Sequence, residues 1–259
     1  MSVKILQKIL LSTVLLILGS FPMSAQEPHS AEALFQQANE AYQKDDFKTA
    51  SALYNRIAKA GEQSPELFLN FGNAWLKQDS IAQAVLAYEK GLFIAPLHKE
   101  LLHNRQIART KVVLKAPVYP EMFYKRVLRK TILQLKSWQW LLLGVVLNGL
   151  LLWLFNKFIY KRKRRLFVSG LFCFILSLFC LISFFIKYNW ETDASKVVLF
   201  GEEVEVKSAP SETSDTQFML SDGNVLFVNE ILGEWSRVDL EDGQEGWVAS
   251  KYLVKVNTP

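Results

Sequence analysis

Cysteine is almost missing from this chain of 259 residues: only Cys173 and Cys180 occur, both inside one uncharged apolar stretch. Seven residues apart, they share a helix face, and two side chains on one helix cannot reach disulfide geometry with each other. They read as two small apolar residues on a packed or lipid-facing surface. Histidine is scarce as well. Of the three, His98 and His103 are five apart, which does not set them on one helix face as a metal pair. Acidic side chains vanish from the middle of the chain, where residues 119–189 hold 12 basic residues and a single acidic one. A phosphate-cradling glycine loop, a metal-ligand spacing and a nucleophile elbow are all missing. Catalytic, cofactor-binding and metal-ligating residues are therefore expected to be none, and the chain reads as a non-enzyme.

What is present is a strongly partitioned charge. The net +5 is composed of +2 over residues 1–25, +1 over 26–118, +11 over 119–189 and −9 over 190–259. The pI of about 9.1 is thus an effect of membrane flanks, and a nucleic-acid partner is not expected. Two uncharged runs, Trp138–Phe155 and Leu166–Ile186, bracket Lys161-Arg162-Lys163-Arg164-Arg165. Each is about the length that a helix rising ~1.5 Å per residue needs to cross roughly 30 Å of hydrocarbon. Spans are expected at 138–156 and 166–187, with 157–165 as a basic loop retained on the cytoplasmic side. The segments before and after the pair then lie together on the opposite side.

The N-terminus points the same way. Lys4 and Lys8 precede the apolar run Ile9–Leu18, and Phe21-Pro22-Met23-Ser24-Ala25 follows. Residues 1–25 read as a signal peptide cleaved after Ala25, with an uncleaved anchor as the alternative because Met23 is large for its position. The chain is thereby placed in the inner (cytoplasmic) membrane with both soluble parts periplasmic. Lys125, Arg126, Arg129, Lys130 and Lys136 run against the charge rule, and are read as a basic juxtamembrane helix over 119–137.

Within 26–118 the sequence repeats at a period of 34. Leu34 answers Phe68, Ala38 answers Gly72, Ala50 answers Ala84, and Tyr54 answers Tyr88, with Pro96 closing the second copy. Small residues where helices cross and aromatics where they interlock resemble the tetratricopeptide repeat. The copies are set at about 31–64 and 65–98, with a capping helix at 98–114. The resemblance implies a concave face presenting Glu32, Phe35, Asn39, Tyr42, Glu66, Leu69, Asn70, Asn73 and Lys77 to a peptide. Of these Phe35, Asn39, Tyr42, Asn70, Asn73 and Lys77 are the candidate partner-binding residues. Asn39 and Asn70 fall where relatives hold a terminal carboxylate, but Phe35 and Asn104 stand where the cations of such a clamp belong. An alternative role for the asparagines is to order contacts between helices.

From 194 to 257 short β-rich runs alternate with turns: Val197–Phe200, Val204–Lys207, Gln217–Leu220, Val225–Asn229, Trp235–Leu240 and Gly246–Val248. Val204–Pro210, then Gly233-Glu234-Trp235, then Gly246-Trp247-Val248, then Ser250-Lys251-Tyr252-Leu253 resemble a bacterial Src-homology-3 (SH3) domain. That resemblance implies a groove carrying Trp235 and Tyr252, with Trp247 in the barrel core, and ligands that are proteins or cell-wall peptides. The negative charge favours a basic partner face.

The fold class expected overall is a multidomain membrane protein: an α-helical repeat domain, a two-helix transmembrane hairpin and a C-terminal all-β SH3-like barrel. This order, together with Gly72-Asn73-Ala74-Trp75 and His103-Asn104-Arg105-Gln106-Ile107-Ala108-Arg109, resembles the BatE proteins of the Bacteroidetes aerotolerance (Bat) operon. The resemblance implies a non-catalytic scaffold whose partners include von Willebrand factor A-type Bat proteins and a MoxR-type ATPase. The alternative is a cell-wall sensor or anchor whose barrel binds peptidoglycan peptides.

Overall fold

The computed structural model describes residues 28–114, 122–193, 195–240 and 243–257. The expected signal peptide lies outside them. Among the described residues five helices come first: α1 (Pro28–Gln43), α2 (Phe47–Lys59), α3 (Pro65–Lys77), α4 (Ile81–Ile94) and α5 (Lys99–Lys111). Side-chain caps begin α2, α3 and α5. Asp46 accepts from Thr49 N before α2, and Ser64 accepts from Leu67 N before α3, where Pro65 fits the first helical position. Asp45 and Asp79, 34 apart, both take the left-handed conformation and end α1 and α3 in equivalent turns.

The same period governs the packing. Tyr54 donates to Asn39 Oδ1 at 2.6 Å, and Asn70 Nδ2 donates to the same oxygen at 3.1 Å. One repeat on, Tyr88 and Asn104 Nδ2 both donate to Asn73 Oδ1 at 2.8 Å. Each asparagine thus joins its own helical pair to the next helix. Ala38, Ala50 and Ala84 are fully buried at the crossings. At Gly72 a Cβ would lie 2.3 Å from the Tyr88 ring, so only glycine admits that ring. Leu69, expected on the open concave face, is instead 8% exposed and packs with Val85 and Leu101. It shares the Leu69–Gly72–Leu76 stripe that turns toward α4 and α5, one residue off the Asn70–Asn73 stripe.

After α6 (Phe123–Leu133) come α7 (Ser137–Lys161) and α8 (Arg164–Thr192), the two helices among the described residues that are long and apolar enough to cross a membrane. Their contacts converge on the Arg162–Lys163 turn. Ser137 N reaches Glu191 Oε1, Trp140 packs edge-on against Phe179, Asn148 Nδ2 donates to Ser177 Oγ at 2.6 Å, and Phe158 meets Phe167. The pair is therefore antiparallel. Gly144, Cys173, Ser177, Cys180 and Ser183 let the helices approach closely, which places both cysteines on the packed face. Most other apolar side chains of the pair point outward, uncovered.

Seven antiparallel strands close the chain: β1 (Lys196–Leu199), β2 (Val204–Lys207), β3 (Thr216–Leu220), β4 (Val225–Leu232), β5 (Trp235–Asp239), β6 (Glu245–Ala249) and β7 (Leu253–Lys255), in the order β3-β2-β6-β5-β4-β1-β7. The fourth runs three residues beyond its expected end, through a bulge between Val228 and Glu230. The seventh adds to the six expected runs, because three residues are too few for an alternation to register. Val197, Leu199, Val204, Val206, Leu220, Leu226, Val238 and Val248 form one buried cluster. A sheet whose distant strands share one core must curl on itself, so this is a small barrel.

The barrel sits on the helices. Val198, Val225 and Val256 leave its interior and join Val85, Tyr88, Leu92 and Leu101 in a shared core. Gly223 (φ +83°) presses its turn against Val112 and Ile81, and Asn224 Nδ2 donates to Leu114 O at 2.7 Å. Trp190 at the end of α8 stacks on Phe93 of α4. At the centre is Glu89, 1% exposed, paired with Arg105 of α5 at 3.1 Å and Lys196 of β1 at 2.5 Å.

Burial alone would raise the Glu89 pKa, but the Lys196 ammonium and then the Arg105 guanidinium outweigh it and hold the carboxyl below its usual value of 4.5. A depressed carboxylate stabilises the fold fully above the unfolded-state pKa and loses that contribution as pH falls through the folded-state value. The stability advantage of the native chain over Glu89→Gln should therefore be constant near neutrality and shrink as pH drops below about 4.5. Thermal unfolding of both chains in micelles across that range checks the sign.

Candidate functional site

Two concave surfaces collect the candidate residues. The first lies on the helical part. Tyr42 of α1, Asn73, Leu76 and Lys77 of α3 and Lys111 of α5 line a cavity of about 250 Å³. Three of the six candidates on this face are thereby brought together. Phe35, Asn39 and Asn70 lie outside the cavity: Phe35 packs against the Tyr54 ring, while Asn39 and Asn70 bond to each other. Lys111, paired with Asp79 at 2.7 Å, is an addition that sequence reasoning missed. It sits on the capping helix, where no repeat pattern assigned a face.

The asparagines carry a structural task whatever else they do. Burial, then the nearby Tyr42, pushes the Tyr54 hydroxyl up to about 12, the Asn70 bond opposing, and Tyr88 is raised for the same first cause. Both phenols stay protonated donors, and Asn39 and Asn73 are their acceptors.

The second surface is on the barrel. Trp235 opens β5 after a tight turn at Gly233-Glu234, and Tyr252 ends a short 3₁₀ turn, Ser250–Tyr252. Ser250 N donates to Glu234 O at 2.8 Å and the Ser236 and Ser250 hydroxyls bond at 2.8 Å, which ties the 3₁₀ turn to the start of β5. Phe200 N donates to Tyr252 O, and Gly201, at φ +143°, leaves room for the tyrosine ring. These contacts bring Trp235 and Tyr252 into one groove of about 420 Å³, with Glu203, Glu205 and Glu212 on its walls.

The two lysines in that groove are engaged. Lys207 pairs with Glu205 at 2.5 Å, and its hydrogen bond, then that of Thr216, holds the Glu205 carboxyl low. Lys251 Nζ lies 5.0 Å from the Tyr252 ring centre. Glu203 and Glu212 have no ion-pair partner among the described residues. A cationic group laid on the aromatic pair would find carboxylates around it.

Trp247 departs from expectation. Gly246 and Val248 on either side of it point inward, and a Cβ at Gly246 would come within 2.3 Å of Val206. The period of two therefore turns Trp247 outward, across from Arg237 on one side and Lys207 on the other. The resemblance implied a core position; the alternation with small inward neighbours carried the better signal.

The comparisons agree with this geometry. Residues 202–254 match the family described as the bacterial SH3 domain. No curated protein matches the chain.

Replacing Asn73 with alanine removes the acceptor of a fully buried phenol. The expected cost is about 1–3 kcal/mol, read as faster amide exchange in α4 and α5. Adding Tyr88→Phe removes the stranded hydroxyl, so the double variant should lose less than the sum of the two singles.

Proposed function

We propose that the protein is a non-catalytic inner-membrane scaffold that binds protein partners through periplasmic tetratricopeptide repeats and an SH3-like barrel. The observation that carries this reading is the open aromatic groove of Trp235 and Tyr252, walled by glutamates, on a barrel fixed against the helices. We read 31–64 and 65–98 as the repeats, supported by the recurrence of the Asn39 and Asn73 ladders and of the Asp45 and Asp79 turns. The resemblance to BatE proteins assigns the scaffold to an aerotolerance (Bat) assembly, with von Willebrand factor A-type Bat proteins as its partners.

Membrane insertion of α7 and α8 is supported by their uncovered apolar faces and by aromatics near both ends: Trp138 and Tyr188 at one, Trp153 and Tyr160 at the other. The shared core between helices and barrel supports a common side for both, since segments that pack on each other cannot be separated by a bilayer. The basic loop supports the cytoplasm as the side of the turn. A phosphatase fused after Lys255 should then be active, and one fused after Lys163 silent; the opposite pattern rejects the orientation.

The match to the bacterial SH3 domain also supports a second reading, a cell-wall sensor or anchor, because the acidic groove suits amine-bearing peptides of peptidoglycan. Trp235→Ala in the full chain separates the readings. An aromatic anchor is worth about 2 kcal/mol, roughly thirtyfold in affinity. For a scaffold the variant should lose about that factor in crosslinked capture of the Bat proteins. For a cell-wall anchor it should lose sedimentation with purified peptidoglycan. Unchanged capture and unchanged sedimentation would reject the groove as the binding surface.

A further inference from the structure

The helix preceding the membrane pair has no assigned task. In α6 the apolar residues Phe123, Tyr124, Val127, Leu128 and Ile132 recur at helical spacing along one face; by sequence spacing Lys125, Arg126, Arg129 and Lys130 fall at the positions of the other. The structure leaves the apolar face bare. Phe123 is 79% exposed, and Tyr124, Val127 and Leu128 are exposed with it; only Ile132, near the C-terminal end, is buried. A soluble helix with such a face would be expected to pack it against the core.

Its position explains the face. A break at Gln134–Lys136 separates α6 from α7, and Lys136 N donates to Gln139 Oε1 as α7 begins. Trp140, one turn into α7, donates its indole N–H to Ile132 O at 3.0 Å. The last turn of α6 is therefore folded beside the first turn of α7, and α6 also touches α8. Ser137 of α7 stands level with Glu191 of α8, next to Tyr188 and Trp190. This is one of the two ends at which aromatics of the headgroup level lie, here Trp138 and Tyr188. No acidic residue occurs between Glu121 and Glu191.

We infer that α6 lies in the membrane interface, its apolar face in the acyl boundary and its basic residues on the headgroups of anionic phospholipids. Apolar burial and charge attraction together hold such a helix in the interface plane. The inference rests on the reading of α7 and α8 as spans. It also accounts for basic residues outside the cytoplasmic loop: they bind the surface of the leaflet and leave orientation to Lys161–Arg165.

The test uses the full chain with Cys173 and Cys180 replaced by alanine and a nitroxide at one introduced cysteine, reconstituted in phosphatidylcholine vesicles with or without phosphatidylglycerol. Relaxation by oxygen, which concentrates in hydrocarbon, is compared with relaxation by a water-soluble nickel chelate. With phosphatidylglycerol, a label at Leu128→Cys should favour oxygen and one at Lys130→Cys the chelate. Omitting the anionic lipid, or changing Arg126, Arg129 and Lys130 to glutamine, should cut the immersed population at Leu128 by about half or more. A label at Val146→Cys reports the span itself. If Val146 is immersed and Leu128 is in water, the interfacial helix is rejected alone; if both are in water, the span reading fails and takes it along. A Leu128 label shielded from both reagents would mean that a second copy of the chain covers this face, and overturns the inference. Immersion unchanged by lipid charge overturns the anionic-headgroup recognition.

Discussion

Much of this molecule is organised around one buried carboxylate. Glu89 sits where α4, α5 and β1 meet, and an ionised side chain so deeply buried is tolerable only with full compensation. Arg105 supplies one partner from the capping helix and Lys196 the other from the first strand. Neither part of the chain could bury Glu89 alone. The ion group therefore selects one docking geometry, in which Val198, Val225 and Val256 complete the apolar contact. Apolar burial supplies the bulk of the attraction there, and the charges fix the register.

Consequences for the rest of the fold follow from that docking. Two helical pairs and a cap are close to the smallest repeat array that can hold together, because each pair buries its face only against a neighbour. Here the barrel acts as a further neighbour beyond α5. The barrel in turn is held with its outer strand surface against the helices and its Trp235–Tyr252 groove left open. Phe93 stacked on Trp190 ties the same unit to the end of α8. A partner in the groove would thus meet a body fixed relative to α7 and α8.

The long apolar pair of α7 and α8 follows a different logic. Its interface is made of Gly144, Asn148, Cys173, Ser177, Cys180 and Ser183, small or polar residues that allow the close approach on which helices in lipid would depend. The large apolar residues face out. α6 continues this outward apolar surface around the end of the pair, with a basic face added.

Several features could be read from residues alone because the physics behind them is local or periodic. The two long apolar runs, the 34-residue recurrence and the glycine-punctuated β runs each repeat a pattern that a helix or a strand imposes on its own sequence. So the small residues at the crossings were legible, while the Trp235–Tyr252 pair came from the resemblance to a bacterial SH3 domain. Three features were decided only in three dimensions. Leu69 and Asn70 differ by one residue, and only the position of α5 determined which of them is buried. Trp247 was given a core role by the family resemblance, until the inward Gly246 and Val248 turned it out. Glu89 reads in sequence as one more charged surface residue, because its partners lie 16 and 107 positions away. A sequence pattern reports what a side chain does within its own element; whom it meets across the chain depends on how those elements dock.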